Sequence, residues 1–168
     1  MSQVNNILIT NLLYDHFKSY IRSVEESYGM LDIVVERGTI IEIVKWLRDD
    51  NILKFNFLTS LCGVHFPEKT NEELEVVYHL HSFTNNIRIR LHVFLPQNDA
   101  NISTITHIFS GANWMERETY EFYGIVFVGH PDLRIILNVE DMEYFPLLKQ
   151  YPLNDDTRTD KDDKYFGR

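Results

Sequence analysis

A single cysteine, Cys62, stands in 168 residues. Disulfide frameworks, cysteine-rich zinc sites and iron–sulfur clusters held by this chain alone are therefore excluded by count. Basic residues are also scarce: 16 Lys and Arg face 25 Asp and Glu, a formal net charge of −9. Coating a duplex needs a clustered basic footprint, and an anionic membrane surface needs one too, so both partners are poor fits. No apolar run approaches the roughly 18 residues of a membrane span. The opening Met-Ser-Gln-Val-Asn-Asn has neither the basic region of a secretory signal nor the arginines of a transit peptide. Phosphate-cradling loops are missing, because Gly111, Gly124 and Gly129 match neither P-loop nor dinucleotide spacing. No Ser or Cys sits in a nucleophile motif, and Cys62, inside a strand candidate, reads as core.

What remains has the composition of a soluble globular domain, 44% hydrophobic and 24% charged. A chain of this length buries roughly 68–70% of its unfolded surface and needs no covalent staple. Leu8, Leu12, Leu13, Phe17, Tyr20, Ile21 and Val24 recur at helical spacing, which predicts one helix over 7–28 with Gly29 as its stop. Leu31 to Glu36 reads as a strand. Thr39-Ile-Ile-Glu42 has the capping-box pattern and opens a helix from Ile40 to Asp49. Phe55 to Phe66 is a further strand candidate. Leu74, Val76, Tyr78 and Leu80, then Ile87, Ile89, Leu91 and Val93, alternate with polar residues around Thr84-Asn85-Asn86. Period two over both runs predicts an antiparallel hairpin with one buried face. Ile102 to Tyr123 is predicted helical, broken at Ser110-Gly111, with Gly124 at the C-terminal glycine position.

The fold class is therefore α+β: a small, mostly antiparallel sheet with helices packed on it, followed by an extended C-terminal docking tail. The organisation divides into an N-terminal helical extension over 1–30, an α+β domain over 31–124 and a partner-binding tail over 125–168 with an acidic end. Glycines and prolines forbid a long helix after residue 125, so 125–153 is expected to be extended, to lie mostly on another protein and to be poorly ordered when free. The stretch from Asn154 to Lys164 has almost no apolar residue and should be solvated.

Two clusters could carry chemistry. His79-x-His81, with Glu75 and His92 on the same hairpin, is a conceivable metal site or a polar strand face. Glu116-Arg117-Glu118 with Glu121 and Trp114 is either an acid–base pair of carboxylates or a salt-bridged helix surface, Arg117 and Glu121 being i,i+4 neighbours.

The stretch Trp114-Met-Glu116-Arg117-Glu118-Thr-Tyr-Glu121-Phe122-Tyr123-Gly124, then His130-Pro131-Asp132-Leu133-Arg134-Ile-Ile-Leu137, resembles the signature of the 30-kDa subunit family of respiratory complex I. That family comprises subunit 9 of mitochondrial NADH dehydrogenase and the C-type subunit of bacterial NADH-quinone oxidoreductase. The upstream element order is similar too, so the resemblance covers roughly residues 30–153. Departures are Glu121 for the usual Asp, Tyr123 for Phe and Ile135 for a second Arg. Further on, only Phe145-Pro146-Leu147-Leu148-Lys149-Gln150-Tyr151-Pro152 aligns with the family's next segment.

The resemblance implies a non-catalytic structural subunit of the peripheral arm of proton-pumping NADH:ubiquinone oxidoreductase. It implies packing on the 49-kDa subunit, whose cleft with the 20-kDa subunit forms the quinone site, and neither nucleic-acid binding nor homo-oligomerisation. FMN, iron–sulfur clusters, NADH and ubiquinone would belong to other subunits. The location implied is the matrix side of the mitochondrial inner membrane, or the cytoplasmic face of a bacterial one. Glu116, Arg117, Glu118, Asp132 and Arg134 would make charge-assisted bonds, and Phe145, Pro146 and Lys149 would mark the docking segment. Two alternatives stand beside this reading. One is the plastid-type relative, the J-type subunit of an NADH dehydrogenase-like complex. The other is a free-standing acid–base or metal-dependent hydrolase using Glu118 with His79, His81 or His130.

Overall fold

A computed structural model describes residues 4–152. The acidic end expected from Asn154 onward lies outside the described residues. Helix α1 (Asn6–Phe17) leads into strand β1 (Ile21–Ser27), which pairs antiparallel with β2 (Met30–Val35). Helix α2 (Ile40–Asp49) follows, then β3 (Phe57–His65), β4 (Leu74–Ser82) and β5 (Ile87–Leu95). These strands form one five-stranded sheet in the order β1-β2-β5-β4-β3, with only the β2–β5 pair parallel. A short parallel ribbon of β6 (Asn101–Ser103) and β7 (Val126–Val128) brackets α3 (Ala112–Tyr123).

The register shows which face of the sheet holds the apolar core. In β4 the outer-face residues Glu75, Val77 and His81 are buried as well, unlike the single buried face expected from the alternation. Val76, Tyr78 and Leu80 stand opposite Val93, Leu91 and Ile89, and Leu31 and Ile33 of β2 continue the row. All are buried. The same core takes Ile9 and Leu13 from α1 and Ile40, Ile43, Val44 and Leu47 from α2, so the helices cover this face. Helix α3 joins them. Gly63 of β3 stands opposite Val76, and a Cβ added at Gly63 would sit 2.5 Å from the Tyr123 ring. The outer face carries Asp32, Arg90, His79 and Ser60 in one register row.

Five sequence expectations are corrected. The helix predicted over 7–28 ends at Phe17, and residues 21–27 form an edge strand of the sheet. A bulge between Ile21 and Ser23 shifts the strand's alternation, so the three-residue spacing of Ile21 and Val24 imitates a helix. Gly29 is then no helix stop. With Tyr28 it forms a two-residue hairpin turn, both at positive φ. The capping box at Thr39 does not form. A 3-10 turn over Arg37–Thr39 precedes α2, and the Thr39 hydroxyl donates back to the Glu36 carbonyl at 3.0 Å.

The helix predicted from Ile102 begins only at Ala112, because the backbone N–H groups that would start it are taken elsewhere: Thr104 donates to Val128 and Ile105 to the Glu116 carboxylate. Cys62 is exposed rather than core, since its register position opposite Val77 faces outward. Finally, the segment after residue 125 contributes Ile125, Phe127 and Leu148 to the chain's own core, so these three side chains are not free for a partner. Gly124 ends α3 at φ 79° as the sequence predicted.

Candidate functional site

Helix α3 carries the residues singled out by the sequence. Its capping glycine sends the chain back along the helix, and the polar side chains of α3 meet that returning segment. Arg117 and Glu121 do not pair with each other. Arg117 donates through Nε to the Arg134 carbonyl at 3.0 Å and through Nη2 to the Ile135 carbonyl at 3.3 Å. Its guanidinium also stacks 4.6 Å from the Trp114 ring centre. Glu121 accepts backbone N–H groups from Ile136 and Leu137, the latter at 3.1 Å, while its own carbonyl accepts from the Asn138 amide. Both side chains are buried. One cation serves two carbonyls and one carboxylate serves the next two N–H groups. Four backbone polar groups on consecutive residues that no strand partner satisfies are thereby partnered.

Glu116 is the other buried charge site, with no exposed surface. Its carboxylate accepts the Ile105 N–H at 2.8 Å and the Thr104 hydroxyl at 2.5 Å. His130 Nε2 lies 4.0 Å away. The Asp132 N–H donates to His130 Nδ1 at 3.0 Å, which fixes the ring hydrogen on Nε2, and that nitrogen donates to the Asn113 carbonyl. Burial pushes the Glu116 carboxyl up to about 7, although the bonds from Thr104 and Ile105 pull the other way.

The folded chain therefore keeps this proton after the unfolded chain has released it near 4.5. Stability should fall as pH rises from that value through about 7, by on the order of 3 kcal/mol from this group. Glu116→Gln should remove this component, since the Thr104 hydroxyl can turn to accept from the new amide. Urea unfolding of both proteins at pH 5 and pH 8 is the measurement. Equal pH slopes in the two would disprove the assignment.

The remaining sequence-selected residues occupy distinct places. Trp114 is 61% exposed, so it is not covered by the returning segment. Glu118 is exposed and lines a cleft of about 250 Å³ between α3 and the edge of β3, together with Cys62, Tyr123 and Leu147. Burial, with Glu75 and Glu118 nearby, pushes the Cys62 thiol up, which disfavours the thiolate. Pro131 is exposed, Leu133 packs against the core, and Arg134 pairs with Asp132 on the surface, holding its carboxyl below the usual range. The Phe145 ring lies over Gly124, beside the half-buried Pro146. The Lys149 N–H donates to His65 Nδ1 at 2.9 Å, which pins the end of the segment to β3.

The hydrolase geometry does not assemble. His79 and His81 lie on the outer face of the sheet while α3 packs on the inner one. His130 is committed to Asn113 and Asp132 beside Glu116, not Glu118. His92 is spent on Glu75 and Asp32. Sequence reasoning missed Thr104, Asp32 and Asn138. Nothing in their local pattern sets them apart from ordinary surface polar residues.

The sequence matches the model of the family described as respiratory-chain NADH dehydrogenase, 30 Kd subunit, over residues 33–157. It is 42% identical over 125 residues to the C-type subunit of NADH-quinone oxidoreductase from Streptomyces coelicolor, covering 74% of this chain and 50% of that one. To the corresponding C-type subunit of a Roseiflexus species it is 44% identical over 128 residues, covering 76% of this chain and 73% of that one. The chain thus spans about half the length of some of the relatives it matches. Among solved structures, the trypsin-resistant fragment of Nqo5 superposes with a TM-score of 0.64 at 31% identity, covering 74% of this chain and 98% of the fragment. A chain of the archaeal membrane-bound sulfane sulfur reductase shares the fold, with a TM-score of 0.73 at 20% identity over 86% of this chain and 84% of that one.

Proposed function

Because the chain belongs to the respiratory-chain NADH dehydrogenase 30 Kd subunit family, we propose that it is a non-catalytic structural subunit of the peripheral arm of a proton-pumping NADH:quinone oxidoreductase, docking on the 49-kDa subunit beside the quinone site it forms with the 20-kDa subunit. One observation carries this reading. Arg117 and Glu121 of α3 are used up on the backbone of 134–137, and the segment they hold exposes Leu137, Val139, Tyr144, Phe145 and Leu147. A run of apolar side chains held outward by internal bonds is a surface arranged for another protein. In this reading flavin and iron–sulfur clusters reside in other subunits, since a cluster needs about four ligands and this chain has one cysteine. Among the described residues no helix is long and apolar enough to cross a membrane. This fits attachment through other subunits, on the matrix side in mitochondria or the cytoplasmic face in bacteria.

The test is a double substitution, Leu137→Asp with Val139→Asp, at two exposed positions. The chain should fold normally, and its recovery in the purified oxidoreductase should fall at least about tenfold, because burying even one unpaired carboxylate costs well over 1.4 kcal/mol. Normal assembly would refute the docking surface. Normal assembly with turnover abolished would point to catalysis within this chain.

A further inference from the structure

The outer face of the sheet, away from α3, carries a second polar arrangement that the docking reading does not use. His92 in β5 stands opposite Val34 of β2 and Val77 of β4, so Asp32 and Glu75 flank it diagonally on the same face. His92 Nδ1 lies 2.5 Å from Glu75 Oε1, and His92 Nε2 lies 3.1 Å from Asp32 Oδ1. A neutral imidazole has one N–H and one lone pair, and an ionised carboxylate can only accept. Both contacts are hydrogen bonds at once only when both ring nitrogens carry hydrogen.

We propose that His92 is a proton-operated clamp: as imidazolium it bonds Glu75 and Asp32 together and ties β4, β5 and β2 across the outer face, and loss of its proton releases one of the two. The groups facing it bear this out. Arg90 of β5 donates to Asp32 at 2.8 Å, so Asp32 retains a cation when His92 is neutral. Glu75 is 5% exposed, and its carboxylate has no other bond among the described residues. Glu25 of β1 stands opposite Asp32, and Phe94 of β5 opposite Glu75. His79 of β4 stands opposite Arg90 and is pushed below the usual imidazole range by burial, then by Arg90 and His92. It therefore supplies no competing charge. Asp32, Glu75, Arg90 and charged His92 sum to zero, whereas neutral His92 leaves these four groups with one negative charge.

Burial of the ring lowers the His92 pKa, but the bonds and charges of Glu75 and Asp32 outweigh it and the net shift is upward. For a raised histidine the stabilisation is complete below the unfolded value and is lost as pH rises through the folded one. The clamp is closed below the ordinary imidazole range and opens as pH rises through the raised value of the folded chain.

Nitrogen-15 spectra of the histidine rings in the full chain test this, with Glu75→Gln as an isosteric comparison. Both His92 nitrogens should be protonated on the acid side of the ring's own titration midpoint, and that midpoint should lie above that of the same chain in urea. Glu75→Gln should lower the midpoint by about one pH unit or more. Amide exchange in β2, β4 and β5 should accelerate as pH rises through the His92 midpoint beyond the intrinsic change, and less so in Glu75→Gln. A midpoint no higher than in urea, or a midpoint unmoved by Glu75→Gln, would each overturn the proposal.

Discussion

Glu121→Ala should free residues 134–138 from helix α3. The Glu121 carboxylate accepts the N–H groups of Ile136 and Leu137, and both lose a charged acceptor in a part-buried setting. A hydrogen bond to a charged group contributes about 1.5–3 kcal/mol, so the local cost is about 3–6 kcal/mol. The segment escapes part of that cost by moving into water, and the loss therefore concentrates there rather than unfolding the sheet. Amide exchange at Ile136 and Leu137 should accelerate by about 100-fold or more, since each 1.4 kcal/mol is a factor of ten. Strands β4 and β5 should keep their protection. Arg117 would then lose its carbonyl partners, because they lie on the same segment at Arg134 and Ile135. If exchange at Ile136 and Leu137 is unchanged, Glu121 does not hold the segment.

Gly124→Ala should destabilise the domain by about 2–5 kcal/mol through two separable effects. The residue sits at φ 79° and ψ 15°, where a side chain costs about 1–2 kcal/mol. Its added Cβ would also lie 2.5 Å from one atom of the Phe145 ring and 2.7 Å from another, and forced overpacking costs about 1–3 kcal/mol. Phe145 would have to move, and its carbonyl accepts the N–H of the buried Leu148. Urea unfolding of Gly124→Ala, Phe145→Ala and the double variant separates the effects. The double variant should recover the steric share and retain only the conformational one. Strict additivity of the two single changes would contradict the close approach seen here.

Legibility differed sharply between elements, for physical reasons. The β4–β5 hairpin was readable because its apolar residues alternate without interruption and line up on the core face from Leu74 to Leu95. Helix α2 was readable from four apolar residues on one face. Strand β1 was misread because its bulge breaks the two-residue period that identifies a strand. In the site, Arg117 and Glu121 look like a helical salt bridge in sequence, since i,i+4 spacing brings such side chains within reach. Their true partners lie 15 to 18 residues further on, in a segment with no periodicity to announce where it returns.

By itself the sequence determined the family, the α+β class and the helix-ending glycine. Each is written in local spacing: a dense run of fixed residues from Trp114 to Leu137, a period of two, a glycine where φ turns positive. Only the tertiary structure decided where the buried charges go. Glu116 found Thr104 and Ile105, Glu121 found two backbone N–H groups, and His92 found an aspartate 60 residues away. A charge withdrawn from water must be met by polar groups that are also withdrawn. Which groups those are is settled when the chain closes on itself, not by the residues that neighbour the charge in sequence.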